Sequence, residues 1–108
     1  MDRLPNAERA FVEEPKLGYL LRVEEKGGFF EAIGFSIREP DALRRSLLEH
    51  AREGAVVRTL RTPFGVKYVL DGPLKSPDGR DPETRSVWIL EHGSDRPRFL
   101  TAYPRRRR

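Results

Sequence analysis

The sequence predicts an α+β fold, with N-terminal helices packed on one face of a C-terminal four-stranded antiparallel meander. Two observations carry that prediction. Up to Gly54 the apolar residues recur at helical spacing, most clearly Leu43, Leu47 and Ala51 at i, i+4 and i+8. From Ala55 the period changes to alternation, in short runs rich in β-branched and aromatic residues and fenced by Gly, Pro and Asp.

Each element has its own signal. Ala10-Phe11-Val12 reads as a short strand or an apolar plug. Glu14-Pro15 suits a helix start, because proline lacks an N–H that would be unpaired there anyway; Leu17, Leu20 and Leu21 then share one face, with Tyr19 beside them. Gly27-Gly28 is expected to break the chain before a second apolar turn of Phe29, Phe30 and Ile33, closed by Gly34. The strongest helix is predicted over residues 40–52, with Asp41 in its first turn, Arg52 in its last and Gly54 as a left-handed cap. Arg44, Arg45, Glu49 and Arg52 form its solvated face. Thr62-Pro63-Phe64-Gly65 suits a type I turn followed by a left-handed glycine, a three-residue hairpin loop. That loop sets Leu60 opposite Tyr68 and groups Val56, Leu60, Val66, Tyr68 and Leu70 on the buried face. Thr59, Arg61 and Lys67 then share the other face with Val57 and Val69.

Two further strands follow, around residues 85–90 and 98–104, apolar on both faces and therefore expected in the interior of the sheet. Their loops leave the register open. In one phase Val87, Ile89, Leu100 and Ala102 meet the helices, and Trp88, Phe99, Thr101 and Tyr103 stand beside Arg61 and Lys67 on an open face. Such interleaved aromatics and cations suit stacking bases and gripping phosphate. In the opposite phase the aromatics are core.

Composition bounds the function. The length of 108 residues suits one domain; it is placed at residues 4–104, with a basic tail at 105–108. The net charge is +4, but without the four tail arginines Lys+Arg falls from 21 to 17, equal to the 17 acidic residues. A terminal run of like charge is expected to be solvated and disordered, with phosphate binding as the alternative. Cysteine is absent, which rules out disulfides and thiolate metal sites. No apolar run is long enough for a bilayer, and the first residues are too polar for a signal peptide, so a cytoplasmic location without membrane contact is expected. Arginine outnumbers lysine, glutamine is missing and Asn6 is the only asparagine; this fits a thermophile, and a GC-rich genome as well.

No motif identifies a reaction. The two histidines, His50 and His92, are far apart without metal-ligand spacing, so neither a metal nor another cofactor is expected. His50 ends the main helix, where its dipole favours a cation; His92 starts a turn and is the candidate proton carrier. Ser86 lacks a nucleophile-elbow context. Asp78, Asp81 and Glu83 fall in one loop and read as solvated.

Several segments, taken in order, carry a family likeness. Leu4-Pro5-Asn6-Ala7-Glu8, Phe29-Phe30, Gly34-Phe35 and His50-Ala51-Arg52 lie in the first half. Gly65-Val66-Lys67-Tyr68-Val69, Arg85-Ser86-Val87-Trp88-Ile89 and Thr101-Ala102-Tyr103-Pro104 lie in the second. Over nearly its whole length the chain resembles a small uncharacterised bacterial domain family that is similar to the barnase–EndoU–colicin–RelE nuclease and toxin group. The resemblance implies helices followed by a four-stranded antiparallel sheet, and a metal-independent ribonuclease activity of toxin type. It places catalytic roles on Lys67, Arg85, Thr101, Tyr103 and His92, and substrate contacts on Arg61, Tyr68 and Trp88. Lys67 or Arg85 would steady the phosphorane, and Tyr103 or Thr101 would hold phosphate or the leaving group. Related sequences carry a longer basic segment where this chain has Val23-Glu24-Glu25-Lys26-Gly27-Gly28. Three readings follow: a ribonuclease acting on RNA, with an antitoxin-like protein as partner; a silent RNA- or protein-binding module; or a structural domain that forms a homodimer.

Overall fold

The computed structural model describes residues 2–22 and 24–105. The side chains of the glutamate-flanked lysine segment and the tail beyond Arg105 lie outside the described residues. Three helices, α1 (Glu14–Arg22), α2 (Glu24–Ala32) and α3 (Pro40–Glu53), precede four strands. The strands are β1 (Ala55–Thr62), β2 (Gly65–Pro73), β3 (Glu83–Glu91) and β4 (Arg98–Pro104), antiparallel throughout and in the spatial order β1-β2-β3-β4. This is the α+β architecture that the change of period predicts.

The helical stripes are the core. Leu17, Leu20 and Leu21 of α1, Phe30 of α2, and Leu43, Leu47 and Ala51 of α3 are buried against Leu70, Trp88, Phe99 and Ala102 of the sheet. The helix expected to break at Gly27-Gly28 instead runs through both glycines. Its far end is fixed by Phe30, fully buried and in edge contact with Phe29 and Phe35. Packing of that end outweighs the local preference of glycine. Gly54 is likewise not a left-handed cap: its φ is −67°. A Cβ there would lie 2.7 Å from the His50 carbonyl oxygen, so the close approach of backbone to backbone requires glycine.

Two corrections concern the sheet. The β1–β2 hairpin pairs Thr62 with Gly65 and Leu60 with Lys67, one residue away from the expected register. This moves Leu60 to the uncovered face, and Thr59 and Arg61 to the other. A bulge at Val57 then restores the phase, so that Val56, paired with Leu70, keeps its expected place on the helix side. A second bulge, at Leu100, pairs Val87 with Thr101 but Trp88 with Phe99. Trp88 and Phe99 therefore point into the core, fully buried with rings 5.2 Å apart at 70°, while Thr101 and Tyr103 stand on the opposite face. The bulge thus combines the two phases left open by the sequence: Trp88 and Phe99 are core, and Thr101 and Tyr103 lie on the uncovered face. The other correction is that β4 is an edge strand rather than an interior one. Its apolar character is explained by Phe11, which forms a parallel bridge to Arg98 and covers that edge through bonds of 3.0 Å to Pro97 and Phe99.

Candidate functional site

Helices cover one side of the sheet. The other side carries a shallow hollow of about 400 Å³. Its floor is Leu60, Val69 and Val87, and Val57, Arg58, Lys67, Arg85 and Tyr103 complete the lining. Strand alternation builds it: Lys67 and Val69 project from β2, Arg85 and Val87 from β3, and Tyr103 from β4, opposite Arg85.

The charge in the hollow is arranged around Asp71, which pairs with Arg85 across the β2–β3 ladder and is only 8% exposed. Arg85 Nε donates to its Oδ1 at 2.7 Å and Arg85 Nη2 to its Oδ2 at 2.8 Å, a two-pronged fork. Arg105 Nε lies 3.0 Å from the same Oδ2. The hydrogen bonds from Arg85 hold the Asp71 carboxyl below the usual carboxylate range against the opposing effect of burial, and the charges of both arginines add to this. The same pair holds the Arg85 guanidinium protonated, helped by Tyr103, its cross-strand neighbour on β4. Arg58 and Lys67 have no ion-pair partner among the described residues. The site therefore has an apolar floor, two unengaged cations, and one carboxylate already shared between two arginines.

Of the residues expected at the site, the structure brings Lys67, Arg85 and Tyr103 to one hollow. Thr101 stands on the same face one row away, paired with Val87. Four others are placed elsewhere. Trp88 is fully buried under the helices. Tyr68 pairs with Trp88 and is half-buried on the helix side. Arg61 is exposed on that same side, opposite Val66. The hairpin register is the reason, and it puts Arg58 in the hollow instead. His92 lies in the turn after β3, exposed, its N–H donating to the Phe64 carbonyl at 3.0 Å. Asp71 escapes the sequence reading, and Arg105 enters it only as part of the solvated tail; the Asp71–Arg85 pairing is legible only once the β2–β3 register is known.

His50 is not a surface cation. It is buried, and Nε2 faces the carbonyls of Gly72 at 3.1 Å and Thr84 at 3.0 Å. That nitrogen must carry the proton, so Nδ1 accepts from the Ser86 hydroxyl at 2.7 Å. Ser86 Oγ in turn accepts from Trp88 Nε1 at 2.8 Å. Burial pushes the His50 pKa down from 6.5, opposed by the two carbonyls and by the nearby Glu83 and Asp71 carboxylates. This serine–histidine pair is sealed in the core and has no route to a substrate.

A family model described as a domain of unknown function (DUF6883) matches residues 3–106. The chain belongs to that family. Curated proteins yield no match to this DUF6883 domain. Among solved structures, one chain of a "Contact-dependent growth inhibition toxin - immunity protein complex from Klebsiella pneumoniae 342" has the same fold, with a TM-score of 0.73. The two chains are 15% identical, over 89% of the DUF6883 chain and 100% of the other. Among the described residues no three His, Cys, Asp or Glu side chains gather where they could hold a metal ion. No helix among them is long and apolar enough to cross a membrane.

Proposed function

We propose that this DUF6883 chain is a ribonuclease of toxin type that cleaves RNA without a metal on the uncovered face of its sheet, the face an antitoxin-like protein would cover. The observation that supports this reading is the convergence of Lys67, Arg85 and Tyr103 on one hollow, with Arg58 beside them. Its likeness in fold to a chain of a toxin–immunity complex is compatible with such a role. In this reading the 2′-hydroxyl attacks the adjacent phosphorus and the 5′ oxygen leaves, producing a cyclic phosphate. The phosphorane gains negative charge, which Lys67 and Arg58 offset in a site with an apolar floor. Tyr103, beside the fixed guanidinium of Arg85, passes a proton to the departing oxygen. The 2′ proton leaves to water.

A second reading, a silent module that binds RNA or a protein partner, is favoured by a specific feature. Among the described residues no histidine or unshared carboxylate lines the hollow, so no side chain stands ready as general base. Labelled RNA incubated with pure protein and excess chelator separates the two. Cleavage to cyclic-phosphate ends, reduced about 100-fold in Lys67→Ala and about 10-fold or more in Tyr103→Phe, supports the nuclease. Salt-sensitive binding with intact RNA supports the module and overturns the nuclease.

A further inference from the structure

The two edges of the sheet are treated differently. Phe11 is bonded along the outer side of β4, and Lys16 Nζ donates to the Leu100 carbonyl at 3.2 Å. On β1, the only main-chain bond on the outer side among the described residues is from the Val56 N–H to the Asp2 carbonyl, 3.0 Å. From Arg58 to Thr62, beyond the bulge, the N–H and C=O groups facing away from β2 meet no other part of the described chain. An edge of this kind is a template for another strand.

The charge beside this edge is one-sided. β1 has no acidic residue. Arg58 and Arg61 project from its two faces, both exposed, and Lys67 stands next to Leu60 across the ladder. None of the three has an ion-pair partner among the described residues. Elsewhere on the sheet the cations are engaged: Arg85 and Arg105 with Asp71, and Arg98 with Glu91 and Glu13. The unpaired positive charge of the sheet therefore gathers along the strand whose main chain is also open.

We infer that the outer edge of β1, residues 58–62, is a docking site for an extended acidic segment of a partner protein, which adds to the sheet as a fifth strand. Main-chain pairing supplies the attachment, and alternate side chains supply selectivity. Carboxylates on one face of the incoming strand meet Arg58 and Lys67 at the mouth of the hollow. Those on the other face meet Arg61. An apolar side chain near the bulge covers Val57, which is 51% exposed. A second copy of this chain fits less well, since pairing β1 with itself brings the Arg58 and Arg61 side chains of both molecules into one short ladder. RNA answers the charge but leaves the main-chain groups unpaired. Because β1 also forms a wall of the hollow, the fifth strand narrows access to it. The inference stands apart from the nuclease reading, as strand pairing is measured without RNA.

The test uses the whole chain, amide hydrogen exchange, and a short capped peptide of glutamate and valine in which two glutamates are adjacent, so that an extended strand carries a carboxylate on each face. Protection of the amides on the outer edge of residues 58–62, weakened by salt and about 10-fold or more weaker in Arg58→Glu/Arg61→Glu, is the expected result. A backbone N-methylated version of the peptide, and a lysine–valine counterpart, should give no protection. Equal binding of either overturns the proposal, and so does absence of protection by the acidic peptide. Equal protection of the same amides by polyuridylate would assign the edge to RNA. A doubling of mass in the unliganded protein, lost in the Arg58→Glu/Arg61→Glu variant, would assign it to a second copy.

Discussion

At the scale of single residues, the buried chain from His50 through Ser86 to Trp88 ties α3 to two strands with every polar atom satisfied. Such networks are costly to leave half made. Ser86→Ala removes the acceptor of Trp88 Nε1 and the donor to His50 Nδ1 together, and is expected to lower stability by about 2–4 kcal/mol in urea melts. His50 also couples stability to pH. Its folded pKa lies below the 6.5 of the unfolded chain, so the unfolded state binds the proton first on acidification. Its contribution is fully present above about pH 6.5 and is lost as pH falls towards the folded value, at up to about 1.4 kcal/mol per pH unit. His50→Gln, which keeps a donor and an acceptor, should flatten that part of the pH profile. An unchanged slope would show that His50 is not the titrating group.

Elements made of periodic residues are legible in sequence, and their interruptions are not. The stripes Leu17–Leu20–Leu21 and Leu43–Leu47–Ala51 predict α1 and α3 because each helix buries one face. The first two strands follow from alternation, and the last two from short β-branched and aromatic runs fenced by turn residues. Counting by twos fails at Val57 and Leu100, where a bulge inserts a residue with no distinctive chemistry of its own. The bulge at Leu100 is why Trp88 and Phe99 separate from Thr101 and Tyr103, while Arg58 rather than Arg61 reaches the hollow because the hairpin closes on Thr62 and Gly65. The hairpin offers a direct check. A Cβ on Gly65 would lie 2.3 Å from the Leu90 carbonyl oxygen and 2.6 Å from the Glu91 Cα. Gly65→Ala is therefore expected to cost about 3 kcal/mol or more. Gly79→Ala, at a positive φ of 80° but with open space around it, should cost about 1–2 kcal/mol. Thermal melts of the two variants give the comparison.

Over the whole molecule, the sequence-wide charge of +4 says little about where an anion would settle, because the balance outside the tail is neutral. The fold creates the local excess by bringing Arg58, Lys67 and Arg85 to one hollow, with Arg85 and Arg105 sharing the Asp71 carboxylate beside it. Asp71→Asn should release both arginines while keeping a hydrogen-bond acceptor between them. The expected outcome is tighter RNA binding, with a log–log salt dependence steeper by about one to two, read by titration at several salt concentrations. A weaker, salt-insensitive complex would show that the hollow is not where RNA binds. The contact of Phe11 with Arg98 has a consequence at this scale too. The amino-terminal arm seals one flank of the ribbon, so shearing it away would leave every molecule with a bare seam on both flanks. Two seams are the minimum for end-to-end growth, and the clipped protein should polymerise into filaments where the intact one cannot.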